Sequence, residues 1–295
     1  MLLTLVAMLA FAANSLLCRL ALGQELIDAA SFATVRVVSG AAVLTLMMLP
    51  RWRVRGRASA DWRSVAALFT YMALFSFAYL SLSTGTGALI LFGAVQLTMF
   101  IAALRGGEQF ALLSWAGLIL AVGGLVYLVS PGLTAPDPTG AILMAIAGVA
   151  WGFYSLLGRD VSDSLEATAN NFIYSVPLVI VVSFLFMGEF HSSLGGLLLA
   201  AVSGAITSGL GYVIWYSALR GLTATRAATV QLSVPAIAAF GGVLLLSEQL
   251  TLRLVLASVA TLGGVWIVLI QRAARPVDTT PGTSNSREIN VRKDQ

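Results

Sequence analysis

The chain is built from apolar runs about 20 residues long. Residues 111–129 and 252–270, for example, are almost wholly apolar. An α-helix needs about 20 such residues to cross the hydrocarbon core of a bilayer. Strands of membrane barrels instead alternate in polarity over about ten residues. The runs therefore predict an all-α polytopic membrane protein.

Composition supports this class, because 58% of the 295 residues are hydrophobic and only 10% are charged. A soluble domain carries about 25% charged residues. Ten transmembrane helices are predicted, at residues 2–22, 29–49, 64–83, 86–104, 111–130, 139–158, 167–187, 196–219, 227–247 and 254–271. Residues 272–295 are rich in Thr, Ser, Asn and Arg, and they predict a disordered tail.

The basic residues predict the orientation of the chain. Lys and Arg are enriched in cytoplasmic loops. If the amino terminus is cytoplasmic, 14 of these residues lie on the cytoplasmic side, and two, Arg19 and Arg253, lie on the periplasmic side. Both termini are therefore predicted to be cytoplasmic, in a bacterial-type inner membrane. The basic loop between Arg51 and Arg63 is explained by retention and lipid headgroups, so no nucleic-acid partner is expected. The lone Cys18 can form no intramolecular disulfide.

An internal repeat divides the chain into two halves. Residues 15–19, Ser-Leu-Leu-Cys-Arg, match residues 155–159, Ser-Leu-Leu-Gly-Arg, at an offset of 140. The same offset relates Glu-Gln at 108–109 to Glu-Gln at 248–249. The predicted domains are a first five-helix repeat at 1–130, a linker at 131–138, a second five-helix repeat at 139–271 and the cytoplasmic tail at 272–295.

Because each half has an odd number of spans, the second half enters the membrane with the opposite orientation. Such inverted repeats are a recurrent architecture of secondary transporters, which bind substrate near the bilayer midplane between the repeats. The repeat therefore predicts a transporter that works by alternating access.

The chain resembles the EamA family of the drug/metabolite transporter superfamily over residues 2–271. The resemblance is carried by the two halves, by Phe32-x-x-x-Arg36, by Gly-Glu-Gln at 107–109 and Ser-Glu-Gln at 247–249, and by glycine pairs at 123–124 and 263–264. It implies export, less often import, of small metabolites through a central cavity lined by spans 1, 3, 4, 6, 8 and 9. Two departures are Val176 at the second arginine position and Phe100 at a proline position of the fourth span.

Arg36 is the one clearly intramembrane charge in the predicted spans. A charge at the bilayer centre costs about 3 kcal/mol or more unless it faces protein or water. Arg36 is either a substrate-anion contact or gate, or a structural arginine bonded to neighbouring helices. The resemblance favours the structural role, because the implied lining helices do not include the second span.

Gln96 and Gln231 occupy equivalent positions in the fourth and ninth spans, where amides need hydrogen-bond partners. They are interpreted either as a site for a zwitterion or as contacts that hold helices together. Pro235, near Gln231, is either a gating hinge or a static kink.

Polar and aromatic side chains on the implied lining helices complete the predicted substrate site, with packing as the alternative role for each aromatic. They are Asn14, Tyr79, Trp151, Tyr154, Ser155, Tyr212 and Trp215.

The predicted function is secondary transport, by export of a small neutral or zwitterionic metabolite such as an amino acid. The predicted spans contain no buried Asp, Glu or His for a proton relay, and no catalytic, cofactor or metal site is expected. An uncoupled channel-like facilitator and, less favoured, a non-transporting scaffold or sensor are the alternatives. The expected partners are the small-molecule substrate and the lipid bilayer, for a monomer or a homodimer.

Overall fold

The computed structural model of the protein describes residues 2–107, 109–219 and 230–273. Over these ranges the chain forms ten long helical segments, with an isolated β-bridge between Ile27 and Ser192. The helices are α1 Leu2–Gly23, α2 Ala29–Arg55, α3 Trp62–Ala78, α4 Thr84–Arg105, α5 Leu112–Val129, α6 Pro138–Leu157, α7 Ser164–Leu185, α8 Leu194–Leu219, α9 Ser233–Leu246 and α10 Leu252–Ala273.

Eight of the helices in the described ranges are long and apolar enough to cross a membrane. Of the other two, α3 has 17 residues and α9 has 14. Large apolar side chains cover the outside of the bundle, including Ile119 at 70% exposure and Val259 at 68%. Such a surface suits contact with lipid, because lipid tails are themselves apolar. The predicted class, an all-α polytopic membrane protein, is confirmed.

The largest differences from the predicted bounds are at the ends of the second and third helices. The second continues from residue 49 to Arg55 through Pro50, which lacks the N–H that would bond the carbonyl of Leu46. The third ends at Ala78 rather than residue 83. The predicted start of the ninth, at residue 227, lies outside the described residues; residues 230 and 231 are helical, and α9 begins at Ser233. Residues 274–295, and with them most of the predicted tail, lie outside the described residues.

Loop carboxylates at several helix starts act as amino-terminal caps. The side chains of Asp28, Asp61, Asp137 and Asp163 accept hydrogen bonds from backbone N–H groups of α2, α3, α6 and α7. These caps satisfy N–H groups that have no partner within the helix. This explains why the carboxylates of the sequence stand at the ends of spans.

Helix packing is reciprocal between the two halves. The equivalent helices α2 and α7 pack on each other, as do α5 and α10, and α4 and α9. The packing of α3 on α6 is matched by that of α8 on α1, and the packing of α4 on α6 by that of α9 on α1. These contacts are exchanged with one another or with themselves when the halves are exchanged, as expected of a pseudo-twofold axis.

Two contacts locate this pseudo-twofold axis. Thr261 Oγ1 of α10 donates to the carbonyl of Ala121 in α5 at 3.4 Å. The ring of Phe11 in α1 meets the ring of Trp151 in α6 edge-on, with centroids 5.3 Å apart. In both pairs the partners are 140 residues apart, so equivalent residues of the two halves touch each other.

An arginine lies at each end of the bundle, and the two ends are called the Arg19 end and the Arg51 end. At the Arg19 end, Arg19 in the last turn of α1 bonds the carbonyl of Tyr79, and Ser81 bonds Asp137 at the start of α6. The end of α1 and the start of α6 therefore meet the same end of α3, so the equivalent helices α1 and α6 are antiparallel. At the Arg51 end, Arg51 pairs with Asp163 at the start of α7.

One stretch of α8 departs from α-helical geometry. Ser203–Leu210 forms a π-helix between two α-helical pieces, Leu194–Val202 and Gly211–Leu219. Here α8 lies so close to α2 that a Cβ on Gly204 would overlap the carbonyl oxygen of Arg36. Isolated π turns within α-helices often mark functional sites, and this one adjoins the polar centre of the bundle.

Candidate functional site

Arg36 lies in the polar centre of the bundle and has no exposed surface. Its Nε donates to Ser208 Oγ at 2.9 Å, and its Nη2 donates to the Tyr212 hydroxyl at 2.9 Å and to the Tyr71 hydroxyl at 3.2 Å. The guanidinium also lies over the Phe75 ring, with Cζ 4.8 Å from the ring centroid. Arg36 therefore joins α2 to α3 and α8, although its own helix is not among the lining helices that the resemblance implies.

Asn14 of α1 completes this network. Its Oδ1 accepts hydrogen bonds from Ser203 at 2.7 Å, Thr207 at 3.2 Å and Ser208 at 3.4 Å, all in the π-helical stretch. Its Nδ2 donates to the Tyr71 hydroxyl at 3.3 Å. The Asn14 amide thus links α1, α3 and α8, and it orients the Ser208 hydroxyl that also accepts from Arg36.

A layer of aromatic rings lies beside the polar network on the pseudo-twofold axis. The ring centroid of Trp151 is 4.7 Å from that of Tyr212 and 4.9 Å from that of Tyr71. Phe11 contacts Trp215 at 5.7 Å and Tyr212 at 5.9 Å. The structure therefore brings Asn14, Arg36, Trp151, Tyr212 and Trp215 into one centre.

Gln231 reaches the same layer from α9. Its Oε1 accepts from Trp151 Nε1 at 3.4 Å, and the side chain is fully buried. The helix is interrupted at Leu232 and resumes at Ser233, with Pro235 in its first turn. Pro235 cannot donate to the carbonyl of Gln231, four residues earlier, so the proline accompanies the interruption.

Gln96 has different neighbours from its counterpart Gln231. It lines a cavity of about 20 Å³ with Leu118 of α5 and Val265 of α10. A cavity of that size holds about one water molecule. The interpretation of the two glutamines as amides facing one substrate stays a prediction.

The remaining predicted residues lie around this centre. Tyr154 accepts from Asn171 Nδ2 at 3.4 Å and has its ring 5.4 Å from that of Trp151. Tyr79 lies one ring further out, against Phe75, and donates to the carbonyl of Thr84 at 3.3 Å. The Ser155 hydroxyl and the Trp215 indole N–H are both buried without a hydrogen-bond partner in the described structure.

Sequence reasoning did not select Ser203, Thr207 and Ser208 as site residues. A signal for all three was present, because these hydroxyls recur at positions i, i+4 and i+5 within an apolar span and are flanked by Gly204 and Gly209. Tyr71 shares one face of the third span with Phe75 and Tyr79, but that spacing does not predict its bond to Arg36. Within the described ranges, no group of three or more His, Cys, Asp and Glu side chains converges as a metal site.

The Arg19 end of the bundle is tied together by a charged network above the centre. Arg19 Nε lies 3.4 Å from Glu248 Oε1. Glu248, just beyond α9, accepts from the backbone N–H of Thr84 at 2.9 and 3.0 Å, at the start of α4. Helix starts favour negative charge. The network therefore links α1, α3, α4 and α9 at this end.

Known proteins match this chain over most of its length. It is 49% identical over 275 residues to an uncharacterized protein of Pseudomonas aeruginosa, covering 93% of this chain and 96% of that protein. It is 28% identical over 199 residues to an uncharacterized transporter of Archaeoglobus fulgidus, covering 65% of this chain and 70% of that one. The uncharacterized transporter YoaV of Bacillus subtilis is 21% identical over 208 residues, covering 67% of this chain and 70% of that one.

A solved crystal structure of another protein shares the fold. The match covers 92% of this chain and 98% of that one, with a TM-score of 0.65 and 18% identity. The sequence profile of the EamA-like transporter family matches residues 138–270, the second half of the chain. With the helical membrane fold, these likenesses identify a multi-pass membrane transporter. The chain belongs to the EamA-like transporter family.

Proposed function

We propose that the protein is a secondary transporter that exports a small neutral or zwitterionic metabolite, such as an amino acid, by alternating access. The observation that carries the proposal is the polar and aromatic centre at the place where Phe11 and Trp151, equivalent residues of the two halves, meet. Inverted-repeat transporters bind substrate where their halves meet. A site on the axis can be reached from either side when the halves rock against each other.

The chemistry of the centre favours substrates without net positive charge. It offers hydroxyls, amides and one guanidinium for polar contacts, and the rings of Phe11, Trp151 and Trp215 for apolar contacts. The hydrogen bonds described for Arg36 and Asn14 all end on hydroxyls. A net cation would meet the charge of Arg36 there.

The Arg19 end supplies a contact that alternating access must break. The pair between Arg19 and Glu248 joins the first half to the second, and Glu248 also caps α4. Opening this end separates α9 from α1 and α4, so the pair must come apart. In the predicted orientation this is the periplasmic end, on which an exporter releases its substrate.

The proposal is tested by flux into proteoliposomes. A panel of L-amino acids, nucleosides and toxic analogues is first scored for resistance on overexpression, and the protecting solutes are then used as radiolabelled substrates. Accumulation against a gradient that collapses with an ionophore supports coupled transport, whereas strict equilibration would establish an uncoupled facilitator. If no solute crosses faster than in empty vesicles, the transporter proposal fails.

Two tryptophan variants test whether the centre is the site. Trp151→Phe keeps an aromatic ring but removes the N–H that bonds Gln231, whereas Trp266→Phe changes a side chain that is 51% exposed on α10. We expect the first variant to raise the KM for transport by several-fold and the second to leave it unchanged. Equal kinetics in the two variants would exclude a role for the Trp151 N–H and its bond to Gln231 in the site.

A further inference from the structure

Arg36 is only partly satisfied by the protein. Its Nε and Nη2 have hydroxyl partners, whereas Nη1 is buried and has no hydrogen-bond partner in the described structure. A guanidinium carries five N–H donors and no acceptor. Leaving a buried charged donor without a partner costs more than leaving a neutral one, so this nitrogen identifies a place where an acceptor is missing.

The charge of Arg36 is also unbalanced. In the described ranges the ion pairs are those of Arg19 with Glu248 and of Arg51 with Asp163, one at each end of the bundle. Every described hydrogen-bond partner of the Arg36 side chain is a neutral hydroxyl. Buried charges are usually paired, because the low dielectric makes an isolated one costly. The missing acceptor should therefore carry a negative charge.

The surroundings of Arg36 are richer in donors than in acceptors. The Tyr71 hydroxyl is already offered protons by Asn14, Arg36 and Tyr212, and Ser208 by Arg36. A neutral hydroxyl has room for about two incoming donors. The Tyr71 O–H has no acceptor among the bonds of the described residues, so it can donate to an anion.

We propose that Arg36 binds the carboxylate of the transported substrate through Nη1, so that every good substrate carries one carboxylate. This inference rests on the proposed function and narrows its substrate class. A single cation suits a singly charged group, and its equivalent in the second half is Val176. Because Trp151 adjoins Tyr71 and Tyr212, the rest of the substrate would lie against the aromatic layer. An ammonium group there would meet ring faces, which attract cations.

The test compares solutes that differ by one group. Each amino acid of an L-amino acid panel is assayed beside its amide, which lacks the carboxylate, and its deaminated acid, which lacks the ammonium. Thermal shift and proteoliposome flux are measured on the wild-type protein, Arg36→Met and Arg36→Lys. Arg51→Met is the control, because it removes an exposed arginine at the Arg51 end.

We expect solutes with a carboxylate to stabilise the wild type and the control, and their amides not to. Arg36→Met should lose at least about tenfold in apparent affinity, the size expected for one charge-assisted hydrogen bond. It should still fold, because Tyr212 then bonds Tyr71, and Ser208 bonds Asn14. Arg36→Lys keeps the charge and should retain part of the affinity, so the proposal stays testable if Arg36→Met does not fold.

Three outcomes would overturn the inference. If Arg36→Met carries solutes as well as the wild type does, Arg36 does not bind the substrate, and the proposed transport function still stands. Equal shifts by chloride or acetate, without flux, would make Nη1 a general anion site of structural importance. Absence of flux for every solute would remove the proposed function itself, and the substrate class with it.

Discussion

Arg36 and Arg19 show two ways of holding a positive charge in a membrane bundle. Arg19 lies at one end, has a quarter of its side chain exposed, and pairs with a carboxylate that also caps a helix. Arg36 is fully buried in the centre, is bonded only to hydroxyls, and keeps one nitrogen without a partner. Both connect the first half of the chain to the second, yet among the described residues Arg19 has a counter-charge and Arg36 has none.

The difference indicates different tasks. A pair near water gains modestly from attraction and can exchange its partner for solvent, so it suits a contact that forms and breaks. A buried charge without a counter-ion destabilises the empty protein, and any anion that reaches it gains the corresponding free energy. Under the proposed mechanism, the pair of Arg19 and Glu248 would break when that end opens, and Arg36 would gain a counter-charge when an anionic ligand binds.

The largest effect is expected for Asn14→Leu, a variant that tests whether the hydroxyl network supports Arg36. Asn14→Leu removes the acceptor of Ser203, Thr207 and Ser208. Within the described ranges, Ser203 Oγ donates to no acceptor other than Asn14. Leaving buried polar groups unsatisfied costs about 1–3 kcal/mol, so the melting temperature in detergent should fall by several degrees.

Ser217→Ala is the matched control for Asn14→Leu. The Ser217 hydroxyl bonds only the carbonyl of Val213, four residues back in its own helix. Its loss should change the melting temperature by less than the loss of the Asn14 network does. Equal melting temperatures for the two variants would show that the network does not hold α1, α3 and α8 together, and the contrast between centre and end would lose its structural basis.

Sequence reasoning predicted the helices well, because hydropathy over about 20 residues is a strong signal. It predicted the surroundings of Arg36 poorly. A helix that is apolar on most sides gives no periodic signal for the face it buries, so the sequence could not show that Arg36 points at Tyr71 and Tyr212. The resemblance favoured a structural role for Arg36 because it leaves the second span out of the lining.

Local geometry explains the other differences. The π-helical turn at Ser203–Leu210 turns three hydroxyls towards Asn14, and a pattern with a period of 3.6 residues does not foresee such a turn. The repeat gave equivalent positions to Gln96 and Gln231, but Gln96 lines a small cavity together with residues of α5 and α10, and Gln231 accepts a hydrogen bond from Trp151. The repeat therefore predicted the helix and the position along it for each glutamine, whereas the packing of neighbouring helices determines the contacts of each side chain.

An intermediate effect is expected at the Arg19 end, and the protein contains its own reporter. Cys18, next to Arg19, is fully buried in α1 and is the one cysteine of the chain. Glu248→Gln keeps an acceptor for the N–H of Thr84 but loses the charge that attracts Arg19. Weakening a partly exposed pair by about 1 kcal/mol should speed labelling of Cys18 by a maleimide up to about fivefold.

Labelling of Cys18 also measures access at this end directly. A substrate that favours the closed Arg19 end should slow the reaction in the wild type, and less so in Glu248→Gln. Cys18→Ser protein serves as the background, since it has no thiol to label. A labelling rate that neither the substitution nor any transported solute changes would mean that the Arg19 and Glu248 pair does not take part in access.

The smallest effect is expected at the Arg51 end, where the comparison can be sharpened with two neighbouring arginines. Arg51 and Asp163 form a pair whose side chains are 58% and 42% exposed. Exposed pairs contribute about 0–1 kcal/mol, because water screens the attraction and two long side chains lose freedom. Arg51→Gln should therefore leave the melting temperature and the flux nearly unchanged.

Arg57→Gln makes the contrast at the same end of the bundle. Arg57 Nε donates to the buried Asn170 at 2.6 Å, and its guanidinium lies over the rings of Tyr174, 4.6 Å from the centroid, and Trp52, 5.1 Å away. Because Asn170 Oδ1 loses this donor and two ring contacts are lost, this variant should melt measurably lower than Arg51→Gln, although both remove one positive charge. If the two variants melt at the same temperature, burial of the partner does not set the cost of losing an arginine in this protein. In that case burial could not explain a different cost of losing Arg36 and Arg19 either.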